Sequence, residues 1–244
     1  MGFYENRILI GAAVIPAVAL LLYVYKADKL DKESPSMLVS LVLRGIIATF
    51  GALITEKLGV YILGQLFPEG SVVYNLLLYF VVVAVSEEGF KYLLLRYRTW
   101  SSPEFNCQFD GVVYAVFVSL GFALWENISY VLMYGLGTAA VRAVTAIPGH
   151  GCFGVFMGAF YGLAKRYDAL GYAEASKSFR VLALVCPALL HGCYDYIATM
   201  ESAQMGWVFL LFIGIMFLVA WSLIRKLSKN DKFIDHRNSY LSQR

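Results

Sequence analysis

Charged side chains are scarce in this sequence, at 15% of residues where an average soluble domain carries roughly 25%. Set beside 59% hydrophobic residues, that scarcity excludes a water-soluble globule, which could not hide so much apolar surface. Cysteine is sparse too. Of the four, Cys152, Cys186 and Cys193 fall inside apolar runs and Cys107 in a loop, which excludes an extracellular disulfide framework and leaves them as small packing residues. There is no fixed-period repeat, no basic motif interleaved with aromatics, and no basic cluster or small-x-small cleavage site around the first apolar run. Solenoid, nucleic-acid-binding and cleaved-leader readings therefore lack support, and the first run reads as a retained span.

What the sequence does contain is long apolar runs. Seven are of a length that reads as membrane helix, at 8–25, 37–54, 72–95, 110–134, 141–164, 179–200 and 205–224. The expected fold is all-α, a polytopic bundle of about seven spans forming one membrane domain over 1–227, with a loose polar tail over 228–244. The segment 57–67 is apolar but too short to cross, and it reads as an interfacial helix or re-entrant turn ended by Pro68. With the N-terminus outside, the inner segments hold fifteen lysines and arginines and the outer ones only Arg7 and Lys57. That bias predicts N outside and C inside.

Against this background the ionisable residues inside spans stand out, because each costs at least ~2.5–3.5 kcal/mol to insert. The third span carries Glu87, Glu88 and Lys91. Glu87 and Lys91 are spaced as an i, i+4 ion pair with the acid on the favourable side, and Glu88, about 100° further round, is expected to lack that partner. Neighbouring carboxylates in a low dielectric suit a proton acceptor. The fourth span adds Glu126 and Asn127, the latter able to orient a partner or cap a polar contact. Asp110 and Glu104, at or beyond the inner end of that span, read as a solvated helix start.

The fifth span has His150 followed by Gly154, Gly158 and Gly162 on one stripe, a pattern for close helix packing that would press His150 against a neighbour. The sixth pairs His191 with Asp195 one turn apart, able to share a metal ion or to fix an imidazole tautomer. Glu88, Glu126, His150 and His191 all lie within about five residues of their span centres, so four helices offer polar groups at one depth. Two imidazoles and a carboxylate leave an open position on zinc, and a further glutamate can act as general base for peptide hydrolysis. A metal-free version, with glutamate activating water and histidine stabilising the oxyanion, fits the same residues. So do a proton- or ion-coupled transporter and a haem protein ligated by His150 and His191.

The motifs Glu87-Glu88-x-x-Lys91, Phe122-x-x-x-Glu126-Asn127, His150-x-x-x-Gly154 and His191-x-x-x-Asp195, in this order on successive spans, resemble the PrsW family of intramembrane metalloproteases. That family is distantly related to the CAAX prenyl proteases and Abi membrane proteins. The resemblance implies a multi-pass bacterial plasma-membrane protease acting on a membrane-anchored protein within the lipid bilayer. It further implies the first cut of an anti-sigma factor in a stress response, while the lack of a basic motif interleaved with aromatics gives no reason to expect a nucleic-acid partner. By this resemblance the catalytic residues are Glu87 and Glu88, with Glu88 favoured as base because Lys91 occupies Glu87, supported by Lys91, Glu126 and Asn127. The metal, zinc by expectation, falls to His150 and His191, completed by Asp195 or Glu126.

Overall fold

The computed structural model describes residues 3–200 and 202–234; the last ten residues of the expected tail lie outside them. Among the described residues the chain is a helical bundle with no β-strand, and seven helical segments are long and apolar enough to cross a membrane. They are α1 (Phe3–Ala27), α2 (Pro35–Leu66), the broken third span α3 (Val72–Leu77) and α4 (Ala84–Thr99), α5 (Asp110–Tyr134), the pair α6 (Leu136–Val144) and α7 (Ala146–Ala169), α8 (Ala173–Ala198) and α9 (Ala203–Lys229).

Local chemistry sets these ends. Ser34 accepts a hydrogen bond from the Met37 amide at 3.2 Å with Pro35 in the first turn, and Ser71 and Ser202 cap α3 and α9 in the same way. Gly135 adopts φ 83°, a left-handed conformation that turns the chain out of α5 and into α6. Pro148 falls in the first turn of α7, where its missing N–H has no intrahelical acceptor to disappoint.

α5 is the central helix, buried from Asp110 to Ala123 and packed most extensively on α7. The glycine stripe makes this contact: a methyl group at Gly158 would overlap the backbone of Gly111 and Val112 on α5. The stripe is thus a packing surface, as its spacing predicts, and it draws His150 against α5. α2, α1, α4, α8 and α9 surround this pair, with their outward faces rich in exposed apolar side chains that suit lipid.

Three expectations need correction. Residues 57–66 form neither a separate helix nor a re-entrant turn, because α2 runs unbroken for 32 residues and carries Glu56 and Lys57 within it. Asp110 is not solvated; it is fully buried and accepts backbone hydrogen bonds from Asn106 and Cys107 at 3.0 and 2.6 Å. Residues 228–234 are not loose: after α9 the chain returns to the α4–α5 loop, where the Ile234 amide donates to the Asn106 carbonyl at 2.6 Å and Asp231 accepts from the Phe109 amide at 2.9 Å.

The third span holds a feature that hydropathy does not reveal. Between α3 and α4, Leu78–Val83 forms a π-helical turn, closed by the Ala84 amide bonding the Tyr79 carbonyl. Such widened turns concentrate at functional sites because they re-aim the following side chains. Glu87 and Glu88 begin one turn later.

Candidate active site

Glu87, Glu88 and Lys91 project from α4 into the middle of the bundle, where the Lys91 ammonium is completely buried. It donates to Glu87 Oε2 at 3.1 Å, to Glu88 Oε1 at 2.7 Å and to His150 Nδ1 at 3.1 Å, and it lies 4.0 Å from the centroid of the Phe122 ring. An ammonium has three protons, and all three are used. Lys91 therefore bridges both glutamates and lies nearer to Glu88, which corrects the expectation that Glu88 would stand unpartnered.

Since Lys91 has no acceptor to offer, His150 Nδ1 must accept, and the ring proton then sits on Nε2. That nitrogen donates to Glu126 Oε2 at 2.9 Å. Glu126 is held from its other side by Arg142 of α6 at 2.9 Å. Asn127 accepts from Arg142 Nε at 2.9 Å and donates to the Ala13 carbonyl at 3.0 Å. The expected orienting role of Asn127 is thus exerted on Arg142, a residue the sequence reading passed over.

His191 of α8 faces carboxylates with both nitrogens. Nδ1 lies 3.0 Å from Glu88 Oε1, while Nε2 lies 3.4 Å from Asp195 Oδ2 and 3.9 Å from Glu87 Oε2. Phe153, one turn after His150 on α7, stacks on the His191 ring at 4.7 Å between centroids. The imidazoles of His150 and His191 meet edge to face with centroids 5.4 Å apart. All four of their nitrogens already face Lys91, Glu126, Glu88 and Asp195, so the rings are not presented to a haem.

These groups border one cavity of about 580 Å³, lined by Glu87, Glu126, Arg142, His150, His191 and Asp195 and walled by aromatics that include Trp125, Tyr130 and Tyr194. Glu56 of α2 also lines it, a carboxylate missed because it adjoins Lys57 at what looked like the end of a span. Glu88 does not line the cavity. It lies behind Glu87, fully buried, with Oε2 lacking any hydrogen-bond partner among the described residues. The cavity occupies the half of the bundle toward the ends of α2, α5 and α8, away from the basic loops.

The residues fit a bound metal, though not as the ligand set first expected. Among the described residues, Glu87, Glu88 and His191 each offer a ligand atom within 4.8 Å of the others. His150 is turned to Lys91 and Glu126, and Asp195 reaches the cluster only through His191. Imidazole and carboxylate are zinc ligand types, and the orphaned Glu88 Oε2 is a buried acceptor lacking a cation. Five carboxyl groups, Glu56, Glu87, Glu88, Glu126 and Asp195, gather at the site against the fixed cations Lys91 and Arg142, leaving a surplus of negative charge.

Known proteins resemble this chain over most of its length. The profile of a family described as PrsW family intramembrane metalloprotease matches residues 33–222. Among curated proteins, Protease PrsW of Bacillus subtilis is 33% identical over 221 residues, 91% of this chain and 94% of its own length. Protease PrsW of Halalkalibacterium halodurans is 30% identical over 92% of this chain and 99% of its own length. That of Geobacillus kaustophilus is 32% identical over 91% of each chain. No solved structure matches.

Proposed function

This chain belongs to the PrsW family of intramembrane metalloproteases, a multi-pass bacterial membrane peptidase, and from that premise we propose that Glu87 is the general base of its hydrolytic site. The observation that carries the reading is that Glu87 is the one carboxylate of the α4 pair on the cavity wall, within reach of both Lys91 and His191. Glu88, wholly enclosed and bound to Lys91 and His191, acts behind it as a positioning residue.

In this reading a water in the cavity attacks the carbonyl carbon of a substrate peptide bond and gives its proton to Glu87. The tetrahedral intermediate collapses as Glu87 returns that proton to the leaving amine. Lys91 holds the two α4 carboxylates in place, and the Arg142–Glu126–His150 chain fixes the opposite wall. Glu88 and His191, with one oxygen of Glu87, would hold a zinc-class ion, which when bound supplies Lewis-acid polarisation of the attacked carbonyl and a more acidic water, and the second Glu87 oxygen would stay free for the proton. The apolar and aromatic walls exclude bulk solvent and suit an unwound, apolar stretch of chain.

The proposed substrate is a membrane-anchored protein of the anti-sigma-factor kind, cut first here in a regulated proteolytic cascade that frees a sigma factor in a stress response. The N-out, C-in orientation predicted by the loop charges puts the cavity in the outer half of the membrane, so the cut belongs near the outer end of the substrate span. The test is cleavage of a single-span substrate by wild-type protein in proteoliposomes, with the new termini located by mass spectrometry. A cut in the outer half of the span supports the reading. No cut, together with Glu87-dependent collapse of a proton gradient, would identify a transporter instead.

A further inference from the structure

A second cluster of acids lies at the opposite end of the bundle, among the basic loops. Asp28 follows α1, Glu33 precedes α2, Asp110 begins α5 and Asp231 follows α9. Carboxylate oxygens of Asp28, Glu33 and Asp110 all lie within 4.8 Å of one another, and Asp110 and Asp231 stand in the same relation to the Cys107 thiol. Asp28, Glu33 and Asp110 are 1%, 5% and 0% exposed, so solvent does not neutralise them.

The hydrogen bonds here are incomplete on the acceptor side alone. Glu33 Oε2 accepts from the Tyr114 hydroxyl, Asp110 Oδ2 from two backbone amides, and Asp231 Oδ1 from the Phe109 amide. Among the described residues both oxygens of Asp28, Oδ1 of Asp110 and Oδ2 of Asp231 are buried without a partner. The nearby Lys32 directs its ammonium to the main-chain carbonyls of Tyr25 and Asp28, and among the described residues none of the four acids makes an ion pair.

We propose that Asp28, Glu33, Asp110 and Asp231 form a structural site for a hard divalent cation of the calcium class, which ties the α1–α2 connection, the start of α5 and the chain leaving α9 into one clamp. Buried carboxylate oxygens gathered with too few donors to satisfy them all is the chemistry a hard cation satisfies. Ligand oxygens around a calcium ion lie no more than about 4.8 Å apart, twice a Ca–O distance of ~2.4 Å, and the oxygens of Asp28, Glu33 and Asp110 meet that bound. The site is separate from the cavity and shares no residue with it.

The test is equilibrium binding of radioactive calcium to full-length, chelator-stripped protein in detergent at neutral pH, with magnesium as competitor. Wild type and His191→Ala are expected to bind one ion per chain, and Asp28→Asn and Asp110→Asn to bind at least ~10-fold more weakly, since affinity follows ligand charge. Calcium should raise the thermal midpoint of the first pair and leave the second pair unmoved. If Asp110→Asn does not fold, Asp28→Asn decides, because the Asp28 side chain accepts no other hydrogen bond. No calcium or magnesium binding by wild type, or binding untouched by Asp28→Asn, overturns the proposal.

Discussion

Lys91 Nζ lies 2.7 Å from Glu88 Oε1, closer than to Glu87, so a single buried ammonium bridges two adjacent carboxylates and orders His150 as well. Removing it leaves like charges side by side with no water to screen them. Lys91→Met is therefore expected to cost ~3–5 kcal/mol, as for other broken buried pairs, and to lower both the amount of inserted protein and its thermal midpoint. Unchanged abundance and midpoint would mean that the glutamates do not depend on Lys91.

Arg142 reaches Glu126 with one guanidinium nitrogen and Asn127 with another. Arg142→Gln should slow cleavage by at least ~10-fold, because it removes the positive charge paired with Glu126, which accepts the His150 Nε2 proton, and the charged donor to Asn127, a bond of a kind worth ~1.5–3 kcal/mol. Asn127→Ala should fall in the same direction, and the double variant should lose less than the sum if both act through Glu126. Full activity in Arg142→Gln would remove this wall from the mechanism.

Packing offers a separate check. Gly158→Ala forces a methyl into the backbone of α5 and should destabilise by ~1–3 kcal/mol, with activity reduced because His150 rides on the same helix. Gly137→Ala is the control: a methyl there meets nothing within 4 Å, so stability should hold. Equal thermal midpoints for the two variants would contradict the α5–α7 contact.

Orientation is tested by fusion. A reporter active only outside the cytoplasm should be silent when fused after Asn230, at the end of α9, and active when placed in the 67–71 connection. The opposite pattern would reverse the bundle and move the cavity to the inner half of the membrane.

Much of this architecture is legible in the sequence because insertion into lipid penalises charge so heavily that spans and their exceptions separate cleanly. Glu87, Glu88, Lys91, Glu126, His150 and His191 are visible for that reason, and the structure brings them together. The same logic hid Glu56: with Lys57 it breaks the apolar window, so the last third of α2 looked like a separate surface element. The pairing of Lys91 could not be settled by helix spacing, since a long side chain reaches both i−3 and i−4. Asp110 resembled a solvated helix start, because the α1–α2 connection and the returning residues 231–234 that lie near it are distant in sequence. The π turn at Leu78–Val83 has no signature in apolar periodicity, because the residues it displaces are all hydrophobic or aromatic.

The central claim is that Glu87, on the cavity wall, performs the proton transfer of peptide hydrolysis. It is tested most directly by the cleavage rate of a single-span substrate by Glu87→Gln in proteoliposomes, beside wild type and with insertion verified. Gln keeps the size and hydrogen bonding of the side chain but cannot take a proton from water. General acid–base catalysis is worth ~10²–10⁴-fold, so the variant should retain no more than about 1% of the wild-type rate. A folded, inserted Glu87→Gln protein that keeps more than about a tenth of that rate contradicts the account.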